Sequence, residues 1–417
     1  MKKSSMSNLI LFTQTFPCYG GEQFIETEID YLADAFDNVL VVPIRGKFDG
    51  TQFRRIPKKV AVIDEIATYP KTKLRYLLSG LLQTLRSPAA VSEIVHRPEI
   101  LVKLKYALRL LVAEYEAGII RRWLVPQLNN YNPNNTLLYS YWASSSAYAL
   151  ASVKKNGWQG PAITRAHGSD IYKEVNIPPF LPYWRFILDH LDLITVISRH
   201  GKDYLEKCYG KRNAQVAISR LGTRDPKSAA LNSNDGILRI VSCSYLVCVK
   251  RVDSIIEALK HLAQPIEWVH IGDGPERCHL EQLASQLPAN IKHKFTGEMT
   301  NKQLHDYYKQ NIVDLFVNFS ASEGIPVSIM EAMSYSVPVI ATDVGGVSEI
   351  VNQSNGYLLS PSIKPSELAQ VINKFARLNM NDRKLLRHKA RQTWTQCYDA
   401  NINYSAFVRM LKDMISE

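Results

Sequence analysis

The 417-residue sequence contains no run of about 18 apolar residues, so nothing in it reads as a helix that crosses a bilayer. Its six cysteines, Cys18, Cys208, Cys243, Cys248, Cys278 and Cys397, never stand in C-x-x-C spacing. A zinc site or redox pair of that kind is therefore excluded, and the cysteines read as reduced, mostly buried thiols. The apolar run at 9–12 falls short of the roughly 7–15 residues that form a signal-peptide core, so a cytoplasmic location is expected.

What is present is a chain 46% hydrophobic and 10% aromatic, enough to offset chain entropy by burial, which excludes intrinsic disorder. Its length is too great for one ordinary core and suits two domains of roughly 200 residues each. A formal net charge of +11 calls for an anionic partner, and composition alone leaves nucleic acid, a phosphorylated substrate and an acidic membrane open.

Short apolar runs rich in β-branched residues alternate with helical stretches in both halves, the pattern of doubly wound parallel α/β sheets. Strands are expected at 9–12, 39–43, 136–141, 162–166 and 193–197, then at 238–242, 267–271, 294–296, 315–318 and 337–341. Two Rossmann-like domains follow, 1–218 and 219–393, divided by the turn-rich stretch 214–236, with a helix at 394–417 returning to the first.

Residues 70–125 break the alternation. Leu74, Leu77, Leu78, Leu81, Leu82 and Leu85 recur on one helical face, and a second helix around 99–123 repeats the design. Ten Lys/Arg against four Glu put +6 of the surplus here. Two readings stand: leucines packed on the first domain under a solvated basic face, or an interfacial surface resting on anionic lipid.

The densest chemical signal is 314–351, DLFVNFSASEGIPVSIMEAMSYSVPVIATDVGGVSEIV. A buried strand enters a Ser/Gly loop, and Pro326 opens a helix whose first amides are unpaired, so Gly324, Ile325, Pro326 and Val327 form an anion site suited to a diphosphate. Glu323 lies in the loop, and Glu331, two turns later, can accept two hydrogen bonds from a ribose diol. Upstream, SCSYLVCVKRVD at 242–253 delivers Lys250 and Arg251 after a strand, as cations for that diphosphate. In the first half, Gly20 and Gly21 allow close backbone approach to a ligand. His167, in TRAHGSDIY, ends a strand, with Arg165 and Asp170 close enough to share its site or the acceptor pocket. Tyr141 and Trp142, in SYWASSS, are aromatic platform candidates for an acceptor.

The segment EGIPVSIME followed by AM and PVIATDVGG resembles the E-x7-E region of retaining glycosyltransferases of family 4, which have the GT-B fold of two Rossmann-like domains facing a cleft. The resemblance implies that Glu323 sits beside the transferred sugar and that Glu331 binds the nucleotide ribose. It also implies that His167 lies beside the donor sugar and that the backbone of FTGEM, with Gly297, lies near the base. Gly272 and Gly274, in HIGDGPE, are expected as structural turn formers. The family usually has an arginine five residues before the lysine; here that position is Tyr245, and Arg251 is the expected substitute.

The sequence has no D-x-D, so the usual metal clamp of a glycosyltransferase is missing and no metal or cofactor is expected. The expected reaction is retaining transfer of a sugar from a nucleotide-diphosphate donor, UDP favoured over GDP, to a saccharide acceptor. FPCYGGEQFIETEI and SCSYLVCVKR further resemble bacterial members that build capsule, exopolysaccharide or O-antigen, which implies a lipid-linked acceptor and a peripheral position on the inner membrane face. The alternatives are a GT-B epimerase or phosphorylase, which does not need this loop, and a basic binding protein. Nucleic acid is not expected as a partner, because the second domain lacks basic patches with interleaved aromatics.

Overall fold

The computed structural model describes residues 6–18, 21–46, 48, 54–67 and 73–415. The chain divides into two compact units, 1–219 with 404–417, and 220–403. In the first, chain order is β1 (Asn8–Thr13), α1 (Ile25–Ala35), β2 (Asn38–Pro43), β3 (Val60–Val62), α2 (Lys73–Arg86), α3 (Pro88–His96), α4 (Glu99–Val102) and α5 (Leu104–Leu128). There follow β4 (Thr136–Ser140), α6 (Ser145–Lys155), β5 (Ala162–Ala166), α7 (Trp184–His190), β6 (Leu193–Val196), α8 (Arg199–Tyr209) and β7 (Gln215–Ile218). The seven strands form one parallel sheet in the order β3-β2-β1-β4-β5-β6-β7.

The second unit runs β8 (Leu238–Cys243), α9 (Val252–Leu259), β9 (Ile266–Ile271), α10 (Arg277–Ala284), β10 (Ile291–Phe295), α11 (Asn301–Gln310) and β11 (Leu315–Asn318). It continues through α12 (Val327–Ser334), β12 (Val339–Thr342), β13 (Gly356–Leu359), α13 (Pro365–Ala376), α14 (Met380–Cys397) and the start of α15 (Ala400–Lys412). Its six parallel strands are ordered β10-β9-β8-β11-β12-β13. Both sheets are covered on two faces, which is why their central strands are largely apolar; residues 9–12 of β1 are at most 1% exposed.

Each strand order reverses direction once, at β1/β4 in the first sheet and at β8/β11 in the second. Loops leaving the carboxyl ends of those neighbouring strands go to opposite sides, which opens the crevice where open α/β sheets bind ligands.

Several expectations change. The stretch read as linker from 214 contains β7, a half-buried edge strand of four residues. β10 starts at Ile291 rather than 294, because its Lys and His side chains face out from an edge. The chain returns to the first unit at Tyr404, not at 394. Trp394 and Tyr398 belong to the second unit, where they donate to Thr223 Oγ1 at 2.7 Å and to the Glu349 carbonyl at 3.2 Å.

The leucines of α2 do not cover the first domain. α2 meets α5 through its small-residue face: a Cβ on Gly80 would lie 2.6 Å from the Leu111 carbonyl oxygen, and one on Gly118 1.7 Å from Gln83 Oε1. Backbones that approach so closely turn the leucine stripe away, leaving Leu78, Leu81, Leu82 and Leu85 exposed. The side chains of Leu74 and Leu77 fall outside the described ones. Among the described residues, no helix is long and apolar enough to cross a membrane.

Candidate active site

In the second unit the strand order explains how residues 73 positions apart meet. β8 and β11 are neighbours, so the loops after them start side by side. The first carries Lys250 and the second Glu323, and Lys250 Nζ lies 2.6 Å from Glu323 Oε1. Ser320 Oγ donates to the same oxygen at 2.6 Å, and Asn318 Nδ2 approaches it at 3.4 Å. Glu323 Oε2 has no partner among the described residues and is left for a ligand.

The loop is propped from beneath by Gly345. Its φ is +57°, and an added Cβ would fall 1.8 Å from the Glu323 carbonyl oxygen, while Gly346 N–H donates to the Gly324 carbonyl at 2.7 Å. Pro326 is extended, and α12 begins at Val327. The amides of Gly324 and Ile325 have no protein acceptor among the described residues, so they and the first turn of α12 present unpaired donors.

Glu331 sits about one turn along this helix. Its carboxyl accepts no hydrogen bond among the described residues, and burial alone pushes it up to about 8. Part of the residue still meets solvent, so a ligand can reach it. The half-buried Cys243 thiol, pushed up chiefly by desolvation, also feels the charges of Glu331 and Lys250, which sets both around the end of β8.

Arg251 has a task other than the one expected. Its backbone is left-handed, at φ 46°, and its guanidinium donates to the carbonyls of Phe319 at 2.7 Å, Ser320 at 3.1 Å and Pro361 at 2.9 Å. With three N–H groups of its fork donating to carbonyls, it braces the Glu323 loop; Tyr245, where the family usually has an arginine, is itself exposed. Gly297, at φ +78°, accepts from Gly272 N–H at 2.9 Å, joining the loops after β10 and β9. Gly272 is required by contact: a Cβ there would lie 1.9 Å from the Ser244 carbonyl oxygen. Beside it His270, lowered to about 4 by burial, is a neutral imidazole bridging Ser242 Oγ at 2.9 Å and the Ser244 carbonyl at 3.1 Å.

The first unit assembles its own group where the loops after β1 and β4 diverge. His167 is buried against the rings of Trp142 at 4.4 Å, Tyr141 at 4.9 Å and Phe24 at 5.7 Å. Among the described residues neither ring nitrogen has a hydrogen-bond partner. Asp170 accepts the backbone N–H groups of His167 at 2.7 Å and Ala143 at 3.0 Å, tying the ends of β5 and β4 together. Trp142 and Asp170 border a cavity of about 480 Å³, whose wall also includes Arg45, Arg109, Glu116 and Ser145.

Two acceptor candidates are corrected. Tyr141 is fully buried and cannot be a platform. Arg165 is fully buried too, ion-paired with Glu28, bonded to Ser219 Oγ at 3.0 Å and stacked 4.0 Å from the Phe407 ring. Gly21 has φ +117° with open space around it, whereas Gly20 lies outside the described residues.

Glu22 was missed. Its carboxylate accepts the amides of Gln14, Thr15 and Phe16 at 2.7–2.9 Å and the indole N–H of Trp142 at 2.6 Å. The only signal was its place after two glycines, where its own φ of 55° continues the turn.

Residues 223–393 match the family described as Glycosyl transferases group 1, a span that holds Lys250, Glu323 and Glu331. The chain carries a glycosyl transferase group 1 domain.

Similar proteins agree with this domain. A putative teichuronic acid biosynthesis glycosyltransferase, TuaC of Bacillus subtilis, is 28% identical over 57% of this chain and 61% of its own. N-acetyl-alpha-D-glucosaminyl L-malate synthase of Bacillus anthracis is 27% identical over 54% of this chain and 61% of its own. The chain thus spans about three-fifths of the length of these curated relatives. In fold, it is similar to Anabaena HepE solved with UDP and glucose, with a TM-score of 0.67 and 16% identity over 98% of this chain and 100% of that one. Sucrose-phosphate synthase from Thermosynechococcus elongatus gives a TM-score of 0.72 with 14% identity over 98% and 99%. The group 1 domain therefore sits in a GT-B fold of two parallel-sheet α/β units.

Proposed function

We propose that the protein is a retaining, metal-independent glycosyltransferase of family 4. In this reading it works in the cytoplasm and moves a sugar from a nucleotide-diphosphate donor to a lipid-linked saccharide in cell-surface polysaccharide synthesis. The carrying observation is the convergence at β8/β11: Lys250 held on Glu323, open amides at α12, and a buried Glu331 carboxyl without a partner. The names of similar proteins in teichuronic acid, amylovoran and colanic acid biosynthesis support the pathway class, and a UDP complex in the GT-B fold supports UDP as the favoured donor.

The amides of Gly324 and Ile325, the α12 dipole and Lys250 suit the diphosphate, stabilising charge as it develops on the leaving phosphate. Glu331 suits the ribose diol, and the free oxygen of Glu323 suits a hydroxyl of the transferred sugar. The acceptor oxygen forms the new bond to the anomeric carbon as the carbon–phosphate-oxygen bond breaks on the same face. Its proton passes to the departing phosphate oxygen. His167 is free to bond a sugar hydroxyl, and the 480 Å³ cavity bordered by Trp142 and Asp170 has the mixed aromatic and polar wall that saccharides take.

The test is a screen of UDP- and GDP-sugars, with and without chelator, for thermal stabilisation and slow acceptor-independent hydrolysis. Stabilisation by one donor series without metal, with nucleotide released, is expected. Isomerised sugar with no transfer would make the protein an epimerase, and no response to any nucleotide sugar would overturn the reading.

A further inference from the structure

Beyond the leucines left open on α2, exposed apolar residues also lie on α3 and α4. Leu81, Leu82, Leu85, Val95, Leu101 and Val102 are exposed, from 47% at Leu81 to 81% at Val102. Large apolar side chains exposed in this number on three successive helices point to a surface with a partner. The charges around it are predominantly positive. Between 78 and 105 the two carboxylates, Glu93 and Glu99, both face Arg97 at 3.8 and 3.9 Å, while Arg86, Lys103 and Lys105 stand exposed.

Beside the leucine face, a cavity of about 320 Å³ has Arg86, Arg121 and Lys155 in its wall and no carboxylate. Arg121 is paired with buried Glu114 at 3.3 Å. Arg86 and Lys155 have no carboxylate partner among the described residues. Leucines next to unneutralised cations match a bilayer's acyl boundary beneath its phosphates. A second copy of this chain would bring like charge against like, and nucleic acid has no use for the leucines.

We propose that the 78–105 face, with Lys155, rests on an anionic phospholipid bilayer. Leu81, Leu82 and Leu85 enter the headgroup–acyl boundary, and Arg86 and Lys155 take lipid phosphates. This surface does not rest on the active-site reading, because vesicle binding is measured without donor or acceptor.

The full chain should float with vesicles of phosphatidylcholine and phosphatidylglycerol in equal parts, and at least about tenfold less with phosphatidylcholine alone or at high salt. Leu81→Glu with Leu85→Glu should cut binding about tenfold or more, and Arg86→Gln with Lys155→Gln should remove the preference for phosphatidylglycerol. Should the leucine variant fail to fold, the Arg86/Lys155 variant, changed only at exposed positions, carries the test. Absence of binding, equal binding to both vesicles, or variants that bind like the parent would overturn the proposal. So would a dimer in sedimentation that the leucine variant dissociates, which would make the face a self-interface.

Discussion

Replacing Glu331 with glutamine should make the protein more stable and weaken its hold on nucleotide. In the folded chain burial raises this carboxyl from the ordinary 4.5 to about 8. The unfolded chain therefore gives up a proton that the folded chain keeps, and stability falls as pH rises from about 4.5, with the loss complete above about 8. A shift of that size corresponds to a few kcal/mol, and because part of the residue meets solvent, about 2–4 kcal/mol is expected at pH 8. Glutamine has no such titration, so the variant should melt several degrees higher at pH 8, at about 2–4 °C per kcal/mol, with the gap narrowing toward pH 5. At pH 8 and above, where the carboxylate form is populated, it should also bind nucleoside diphosphate about 10–100-fold more weakly, since a charge-assisted bond to the diol is worth about 1.5–3 kcal/mol. Thermal melts at pH 5 and 8 and calorimetric titration with UDP and GDP read both effects. A variant less stable than the parent at pH 8, or one with unchanged nucleotide affinity, would refute the reasoning.

Lys250→Ala should lower turnover at least about tenfold while circular dichroism and melting stay close to the parent, because Lys250 is partly exposed and its loss removes a cation from the diphosphate rather than from the core; near-native turnover would sink its assignment. Gly345→Ala, forcing a side chain into a left-handed position 1.8 Å from the Glu323 carbonyl, should cost about 1–3 kcal/mol and displace Glu323, so turnover falls more than donor affinity in a steady-state comparison. Arg165→Met should strand buried Glu28 and cost about 3–5 kcal/mol, measured by denaturant unfolding, with Glu28→Gln in the same chain restoring part of it. A stable Arg165→Met protein that had lost only acceptor use would return this arginine to the acceptor site.

The parallel sheets were readable because strands buried on both faces are mostly apolar: 9–12 is apolar throughout, and 238–242 and 315–318 are apolar except at Arg239, Ser242 and Asn318. Edge strands escape that rule. β3 has three residues, β7 is half-buried, and β13 begins at Gly356, whose Cβ would strike the Val339 carbonyl at 2.1 Å. α2 was misjudged for another reason: periodicity finds the apolar face, but which face packs is decided by how near the partner backbone comes. Gly80 and Gly118 settled that, and an isolated glycine in a helical run does not announce it.

The same distinction separates the legible half of the site from the rest. The loop 319–326 and its helix declare their open amides locally, because Pro326 and those amides are neighbours in sequence. The partnership of Lys250 with Glu323 depends on β8 lying next to β11 with β9 and β10 sent to the other side, a fact of strand order that no spacing encodes. Arg251 shows the consequence. Adjacent to Lys250, it looks equivalent by charge, yet its left-handed backbone turns its fork toward the carbonyls of 319, 320 and 361, while the lysine ammonium meets the carboxylate. Of two neighbouring cations, the one with the rigid planar fork shapes the loop, and the one with the flexible stem meets the Glu323 carboxylate.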